Sequence, residues 1–259
     1  MRVDAHVHIG RSDTGDIYYP PLEGEEWLAL MEGSGMERAI VFAPTMNEGY
    51  RRSNKALRDW AARQDGRIRV LARLGGPQLP LAEPAFWLVR RALRQRIMRR
   101  PPDLGADGLD GFAGVKLLPQ LDGIPSRHQF EEIADRKLPV LSHAGRFVPA
   151  RWLARHVLPR TRGPLILAHL GSFPAEHDLI EEAIALAEAE PCVHLDTSGI
   201  WDIALLRRAI EAVPRKLVFG SDAPLTHPLV AWRQVERLIA DPGLRARIGG
   251  DLAEELFAW

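Results

Sequence analysis

Eight short apolar segments alternate with helical segments along this chain, and this alternation constrains the fold more than any other feature of the sequence. Strands separated by helices pair in parallel, because each crossover returns the chain to the same edge of the sheet. Eight such units within 259 residues match the count and length of a (β/α)8 barrel. The sequence therefore predicts an α/β protein with a single TIM-barrel domain over residues 1–259. The predicted strands cover residues 3–9, 38–43, 68–74, 113–118, 139–142, 164–168, 192–196 and 216–220, and the predicted helices cover 25–31, 53–64, 83–98, 129–135, 149–157, 175–188, 202–213, 228–240 and 242–257.

Composition and charge narrow the class of protein. The 34 basic and 34 acidic residues cancel, so the chain carries no net charge that would attract nucleic acid or a membrane surface. A single cysteine, Cys192, excludes an internal disulfide and suits a reducing compartment. The first predicted strand begins within two residues of Met1, which leaves no room for a signal peptide, and no apolar run approaches the roughly 20 residues of a membrane span. We therefore expect a cytoplasmic protein with a small-molecule substrate and neither nucleic acid nor membrane as a partner. A homodimer is compatible with Tyr18, Tyr19 and Trp27, aromatic residues that could line either the pocket or an interface.

The first predicted strand carries polar side chains on one face. Asp4, His6 and His8 alternate with Val3, Ala5, Val7 and Ile9, and side chains two apart on a strand share a face. Two histidines and an aspartate on one face of a buried strand indicate a metal site inside the barrel. Asp4 has two interpretations at this stage: a carboxylate that orients an imidazole, or a buried acid that accepts backbone hydrogen bonds.

Further polar residues end the later strands. Lys116 lies on the fourth strand, His143 and His169 end the fifth and sixth, and Asp222 ends the eighth. In a (β/α)8 barrel the carboxyl ends of the strands meet at one face, which is where active sites form. Imidazole and carboxylate are good ligands for Zn²⁺, and a catalytic zinc lowers the pKa of its bound water to about 7. Asp222 is the best candidate both to bind the metal and to move a proton.

Five motifs, in this order along the chain, resemble the amidohydrolase superfamily: Asp-Ala-His-Val-His at 4–8, Val-Lys-Leu-Leu-Pro at 115–119, His-Ala-Gly at 143–145, His-Leu-Gly at 169–171 and Gly-Ser-Asp-Ala-Pro at 220–224. The chain is most similar to the amidohydrolase-related branch that includes aminocarboxymuconate semialdehyde decarboxylase and several lactonases. The resemblance implies that His6, His8, His143 and Asp222 bind a divalent metal. It also implies that His169 either binds a second metal or remains unligated as a catalytic or substrate-orienting base.

Two residues of the fourth strand decide what the resemblance implies about chemistry. In binuclear members such as dihydroorotase, a lysine in a similar strand is carboxylated and bridges two metals. A carboxylated Lys116 would be a metal ligand, whereas an unmodified Lys116 would pair with an acid or with the substrate. We favour the unmodified lysine and one Zn²⁺ ion, because this branch is often mononuclear. Leu118 replaces a histidine that is common in the branch, so a polar group expected near the substrate is missing.

Four other residues are candidates for binding substrate. Arg73 and Arg146 can anchor a carboxylate through bidentate hydrogen bonds, or can form structural ion pairs. His194 lies within the seventh strand, where it either packs in the core or lines the pocket, and His227 follows the eighth strand near the expected rim.

The sequence supports three functions. The leading one is hydrolysis of an amide, ester or lactone by a metal-activated water, with Asp222 or His169 moving the proton. The second is non-oxidative decarboxylation of a small carboxylic acid at the same site. The third, from another class, is a metal-binding scaffold without catalysis, for which Leu118 is the only support.

Overall fold

A computed structural model of the chain describes residues 1–13, 20–47, 49–76 and 105–259. In these residues eight parallel strands form one sheet in the order β1 to β8, and each strand pairs with the next along the chain. The predicted single (β/α)8 barrel is confirmed. The strands are β1 (Val3–His8), β2 (Arg38–Phe42), β3 (Ile68–Leu74), β4 (Gly114–Leu117), β5 (Val140–Ser142), β6 (Leu165–Leu167), β7 (Val193–Asp196) and β8 (Leu217–Val218).

Backbone hydrogen bonds between β1 and the segment after β8 close the barrel. The Ala5 N–H donates to the Phe219 carbonyl at 2.9 Å, and the His8 N–H donates to the Ala223 carbonyl at 2.8 Å. In return, the Asp222 N–H donates to the His6 carbonyl at 3.0 Å. This closure places the two histidines of β1 directly beside Asp222, although more than 200 residues separate them in sequence.

Helices follow most of the strands and pack on the outside of the barrel. The predicted helix over 83–98 lies outside the described residues, and the one predicted over 242–257 is divided by a π-helical turn at Arg247–Asp251. Among the described residues no helix is both long and apolar enough to cross a membrane. The α-helices are α1 (Gly24–Ser34), α2 (Arg51–Ala61), α3 (Pro119–Asp122), α4 (Arg127–Asp135), α5 (Ala150–His156), α6 (His177–Ala189), α7 (Ile203–Ala212), α8 (Pro228–Leu238), α9 (Pro242–Ala246) and α10 (Leu252–Leu256).

A bulge in β1 changes which of its side chains share a face. The pairing of β1 with β2 shifts by one residue between Asp4 and Val7, and such an insertion reverses the alternation beyond it. Ala5 therefore packs in the apolar cluster that contains Phe42, whereas Val7 packs in the larger cluster between sheet and helices. The expectation that Asp4 shares a face with both histidines was wrong, because strict alternation fails at the bulge.

Candidate metal centre

The site lies at the carboxyl end of the barrel, where β1 and the segment after β8 run close together. His6 and Asp222 are completely buried, and His8 is 8% exposed. Gly220 permits this approach, since a Cβ atom there would lie only 2.7 Å from the His6 Cβ. Asp222 follows with a φ of 64°, a left-handed conformation that turns its carboxylate back toward β1. The backbone of this segment is thus shaped to bring one carboxylate to two imidazoles.

Three ligand atoms converge at this point. The Nε2 atoms of His8 and His6 lie 3.2 and 3.5 Å from Asp222 Oδ1, and each residue offers one atom within 4.8 Å of the others. A tetrahedral ion with bonds of about 2.0–2.1 Å has ligand atoms about 3.3 Å apart. Two imidazoles and a carboxylate at these separations have both the chemistry and the spacing of a site for a divalent metal.

Asp196, the last residue of β7, is a residue of this site whose role the sequence did not reveal. Its Oδ2 lies 2.7 Å from His6 Nδ1, and both side chains are completely buried. Burial alone would raise the pKa of this carboxyl, but the adjacent His6 ring, together with His169 and Lys116, holds that pKa below its usual range. Its position at the end of a strand was the available signal, since His143, His169 and Asp222 also lie just beyond strand ends.

His143 and His169 form a pair beside the three converging ligand atoms. His169 Nε2 lies 3.2 Å from His143 Nδ1, and the rings of His169 and His6 have centroids 5.1 Å apart. His169 Nδ1 is 3.9 Å from the second carboxylate oxygen of Asp222. Burial lowers the pKa of His169 to about 4 and that of His143 well below its usual value. Both rings are therefore neutral at neutral pH and can accept a proton or bind a metal.

Lys116 reaches the same space from β4. Its Nζ lies 3.4 Å from His6 Nε2 and 4.7 Å from the centre of the Phe42 ring. Burial lowers the pKa of Lys116 to about 7, with Asp196 and Asp222 opposing the shift. A large fraction of this amine is consequently neutral at neutral pH, which suits a lysine close to a metal. Leu118, which follows β4, is half-buried where the sequence indicated a missing polar group.

Asp4 is a buried acid that accepts backbone hydrogen bonds, which is the second of the two roles predicted for it. Its Oδ1 accepts the backbone N–H groups of His6 at 3.2 Å and Ser221 at 2.9 Å. Burial raises the pKa of its carboxyl to about 7. Asp4 therefore links β1 to the segment after β8, and the carboxylate that faces the His6 Nδ1 atom is that of Asp196.

Arg73 lies close to the site but makes a structural ion pair. Its Nη2 is 3.0 Å from Asp122 Oδ2 in a fully buried contact, and Nη1 donates to the Ala43 carbonyl at 3.0 Å. The Tyr50 hydroxyl donates to the same carboxylate at 2.9 Å. Of the two predicted roles, carboxylate anchor or ion pair, the geometry shows the ion pair.

The other three predicted substrate contacts have protein partners of their own. Arg146 is exposed and forms a bidentate pair with Glu176, with both distances 3.0 Å. His227 is exposed and caps α8, accepting the Leu229 N–H at 3.2 Å. His194 is half-buried toward the opposite end of the barrel, where Lys216, Arg247 and Glu255 are its charged neighbours. A strand position on the inner face does not specify which end of the barrel a side chain reaches.

Of the aromatic residues predicted to line a pocket or an interface, only Trp27 lies within the described residues. Tyr18 and Tyr19 lie outside the described residues. Trp27 is completely buried in α1 and packs in the core between sheet and helices, so the expectation that it lines a pocket or an interface was wrong. The helical spacing of its apolar neighbours, which places it on the inner face of α1, accounts for the difference.

The sequence matches a known protein family. The family model described as amidohydrolase matches residues 3–259, almost the whole sequence. The chain belongs to the amidohydrolase family. This assignment confirms the resemblance carried by the five motifs. No curated protein matches the sequence.

Solved structures with a similar fold include a probable hydrolase and two decarboxylases. A probable 2-pyrone-4,6-dicarboxylic acid hydrolase from Acinetobacter baumannii is 15% identical, with a TM-score of 0.66 over 100% of this chain and 99% of that one. The 2,6-dihydroxybenzoate decarboxylase from Rhizobium is 17% identical, with a TM-score of 0.61 over 99% and 98%. A dihydroxybenzoic acid decarboxylase from Polaromonas, solved with bound manganese, is 17% identical, with a TM-score of 0.59 over 99% and 96%. At these identities the comparison shows the shared fold, and the family is one of enzymes.

Proposed function

We propose that the chain is a metal-dependent hydrolase that opens an amide, ester or lactone of a small molecule. The convergence of His6, His8 and Asp222 carries this proposal, because three ligand atoms within 4.8 Å form a compact site for a divalent ion. The proposed ion is one Zn²⁺, with His143 as a further ligand and Lys116 unmodified. The manganese in the Polaromonas decarboxylase makes Mn²⁺ the alternative to test.

When bound, a divalent metal at this position lowers the pKa of a water and polarises a carbonyl group. The protein's own residues then handle the proton. Asp222 offers one carboxylate oxygen to the histidines of β1 and turns the other toward His169, whose Nδ1 lies 3.9 Å away. A carboxylate in this position can take a proton from the attacking water and pass it to the leaving group.

His169 is the second residue proposed for proton transfer. Its burial keeps the ring neutral, since its pKa is lowered to about 4. The ring contacts His143 on one side and Ser198 on the other, with Nδ1 2.9 Å from the Ser198 hydroxyl. A neutral imidazole fixed on both sides can orient a substrate and accept a proton without a large rearrangement.

Non-oxidative decarboxylation is the second candidate. Two related structures are named as decarboxylases, and a reaction of this kind must deliver a proton to carbon after CO₂ leaves. The buried pair of His143 and His169, 3.2 Å apart, is a suitable proton carrier for that step. Both candidates use the same residues, so only the substrate distinguishes them.

The test is a pair of substrate panels assayed with protein loaded separately with zinc and with manganese. Ring opening of a lactone, with no CO₂ released from aromatic acids, supports hydrolysis, and the opposite result supports decarboxylation. His169→Asn should reduce kcat by about 100-fold or more on the active panel, because it removes the proton acceptor. His156→Asn is the matched control, since that histidine packs against Trp152 on α5, outside the site. If neither panel reacts with metal-loaded protein, both assignments fail and the metal-binding scaffold is left.

A further inference from the structure

Asp196 organises the site through four hydrogen bonds, and their arrangement is asymmetric. Its Oδ1 accepts the His169 N–H at 2.8 Å, the Ser198 N–H at 3.0 Å and the Ser198 hydroxyl at 2.6 Å. Its Oδ2 faces His6 Nδ1 at 2.7 Å. Oδ1 thus accepts three hydrogen bonds, two of them from backbone N–H groups, which can only donate. These contacts fix the orientation of the carboxylate.

This arrangement decides which nitrogen of His6 carries the proton. An ionised carboxylate only accepts hydrogen bonds, so the nitrogen opposite Oδ2 must donate. His6 is then protonated on Nδ1, and Nε2 presents a lone pair on the side of Asp222 Oδ1, 3.5 Å away. We propose that Asp196 is a positioning residue that holds His6 in the tautomer able to bind a metal. This inference rests on the metal centre of the proposed function and adds the residue that prepares it.

An asparagine at this position would reverse the tautomer without removing the side chain. The amide oxygen must take the Oδ1 position, since two backbone N–H groups and a hydroxyl point there. The amide NH₂ group would then face His6 Nδ1 and would need an acceptor. The proton of His6 would then be on Nε2, and the lone pair would be on Nδ1, the nitrogen that does not face Asp222.

Asp4 offers a matched control for replacing a buried aspartate beside His6 with asparagine. Like Asp196, it is a completely buried aspartate next to His6. Its Oδ1, however, accepts the backbone N–H groups of His6 and Ser221 and does not face an imidazole nitrogen. Asp4→Asn can preserve both of these hydrogen bonds through its amide oxygen and should leave the His6 tautomer unchanged.

The experiment reads the tautomer directly in metal-free protein labelled with ¹⁵N-histidine. Imidazole ¹⁵N shifts distinguish the two neutral tautomers, and His6→Gln assigns the His6 signals. We expect His6 to be protonated on Nδ1 in the wild type and in Asp4→Asn, and on Nε2 in Asp196→Asn. Competition with a chromophoric chelator should show zinc binding weakened by about 10- to 100-fold in Asp196→Asn alone.

Two results would overturn the proposal. One is a wild-type His6 that is protonated on Nε2 or on both nitrogens. This measurement does not depend on whether any variant folds. The other is an Asp196→Asn protein with the wild-type tautomer and zinc affinity. Neither measurement depends on substrate. An inactive enzyme with the expected tautomers would therefore refute the proposed function and leave this inference standing.

Discussion

Asp4 links the stability of the barrel to pH, and Asp4→Asn should reveal that link. The carboxyl is completely buried at the closure between β1 and the segment after β8, where burial raises its pKa from 3.8 to about 7. The folded protein therefore holds this proton more tightly than the unfolded chain does. Its contribution to stability is fully present below about pH 4 and is lost as the pH rises to about 7.

The magnitude follows from the same pKa values. A rise from 3.8 to about 7 corresponds to about 4 kcal/mol between the acid and alkaline limits. Between pH 5 and pH 8 the loss is about 3 kcal/mol, because the part of the loss that falls between pH 3.8 and pH 5 has already occurred. Asparagine does not titrate and keeps the acceptor for the N–H groups of His6 and Ser221. As the pH rises from 5 to 8, the free energy of unfolding of Asp4→Asn should therefore increase by about 3 kcal/mol relative to that of the wild type.

The assay is urea unfolding of both proteins in the presence of a chelator, at each pH unit from 5 to 8. Tryptophan fluorescence and far-ultraviolet circular dichroism should give coincident transitions, which justifies conversion to free energies. Asp251→Asn, at an exposed aspartate, controls for the general effect of removing an acidic group. A difference between Asp4→Asn and the wild type that stays constant with pH would show that Asp4 is ionised in the folded state throughout, and would refute the reasoning.

Further predictions concern the metal site and two arginines. Elemental analysis should find about one divalent ion per chain, and His6→Ala or Asp222→Ala should abolish it because each removes one of the converging ligand atoms. Lys116→Gln should still bind about one ion; a fall from about two to one would instead indicate a bridging carboxylated lysine. Arg73→Met should lower the free energy of unfolding by about 3–5 kcal/mol, since it leaves the buried Asp122 carboxylate without its cationic partner. In the same urea assay, Arg146→Ala should have little effect because its ion pair is largely solvated, and equal effects of the two substitutions would contradict this assignment.

The architecture and the centre of the site could be predicted from the chain alone. Apolar segments at regular spacing specify eight strands, and parallel pairing brings the carboxyl ends of those strands to one face. Asp222 could therefore be placed beside His6 and His8, although no short-range pattern connects it to them. Local periodicity and chain connectivity were sufficient for this step, because each of these three residues lies near or just beyond the carboxyl end of its strand.

The partners of individual polar groups were decided only by the tertiary structure. The bulge in β1 moves Asp4 off the face of the histidines, and Asp196, 190 residues from His6, takes the position beside its Nδ1. Arg73 is likewise paired with Asp122, which comes from the helix after β4. Such pairings depend on strand register and on a few ångströms of backbone position between distant segments. Residue spacing can bring polar side chains to the same end of a barrel. Which atoms then form hydrogen bonds or ion pairs depends on the packed structure.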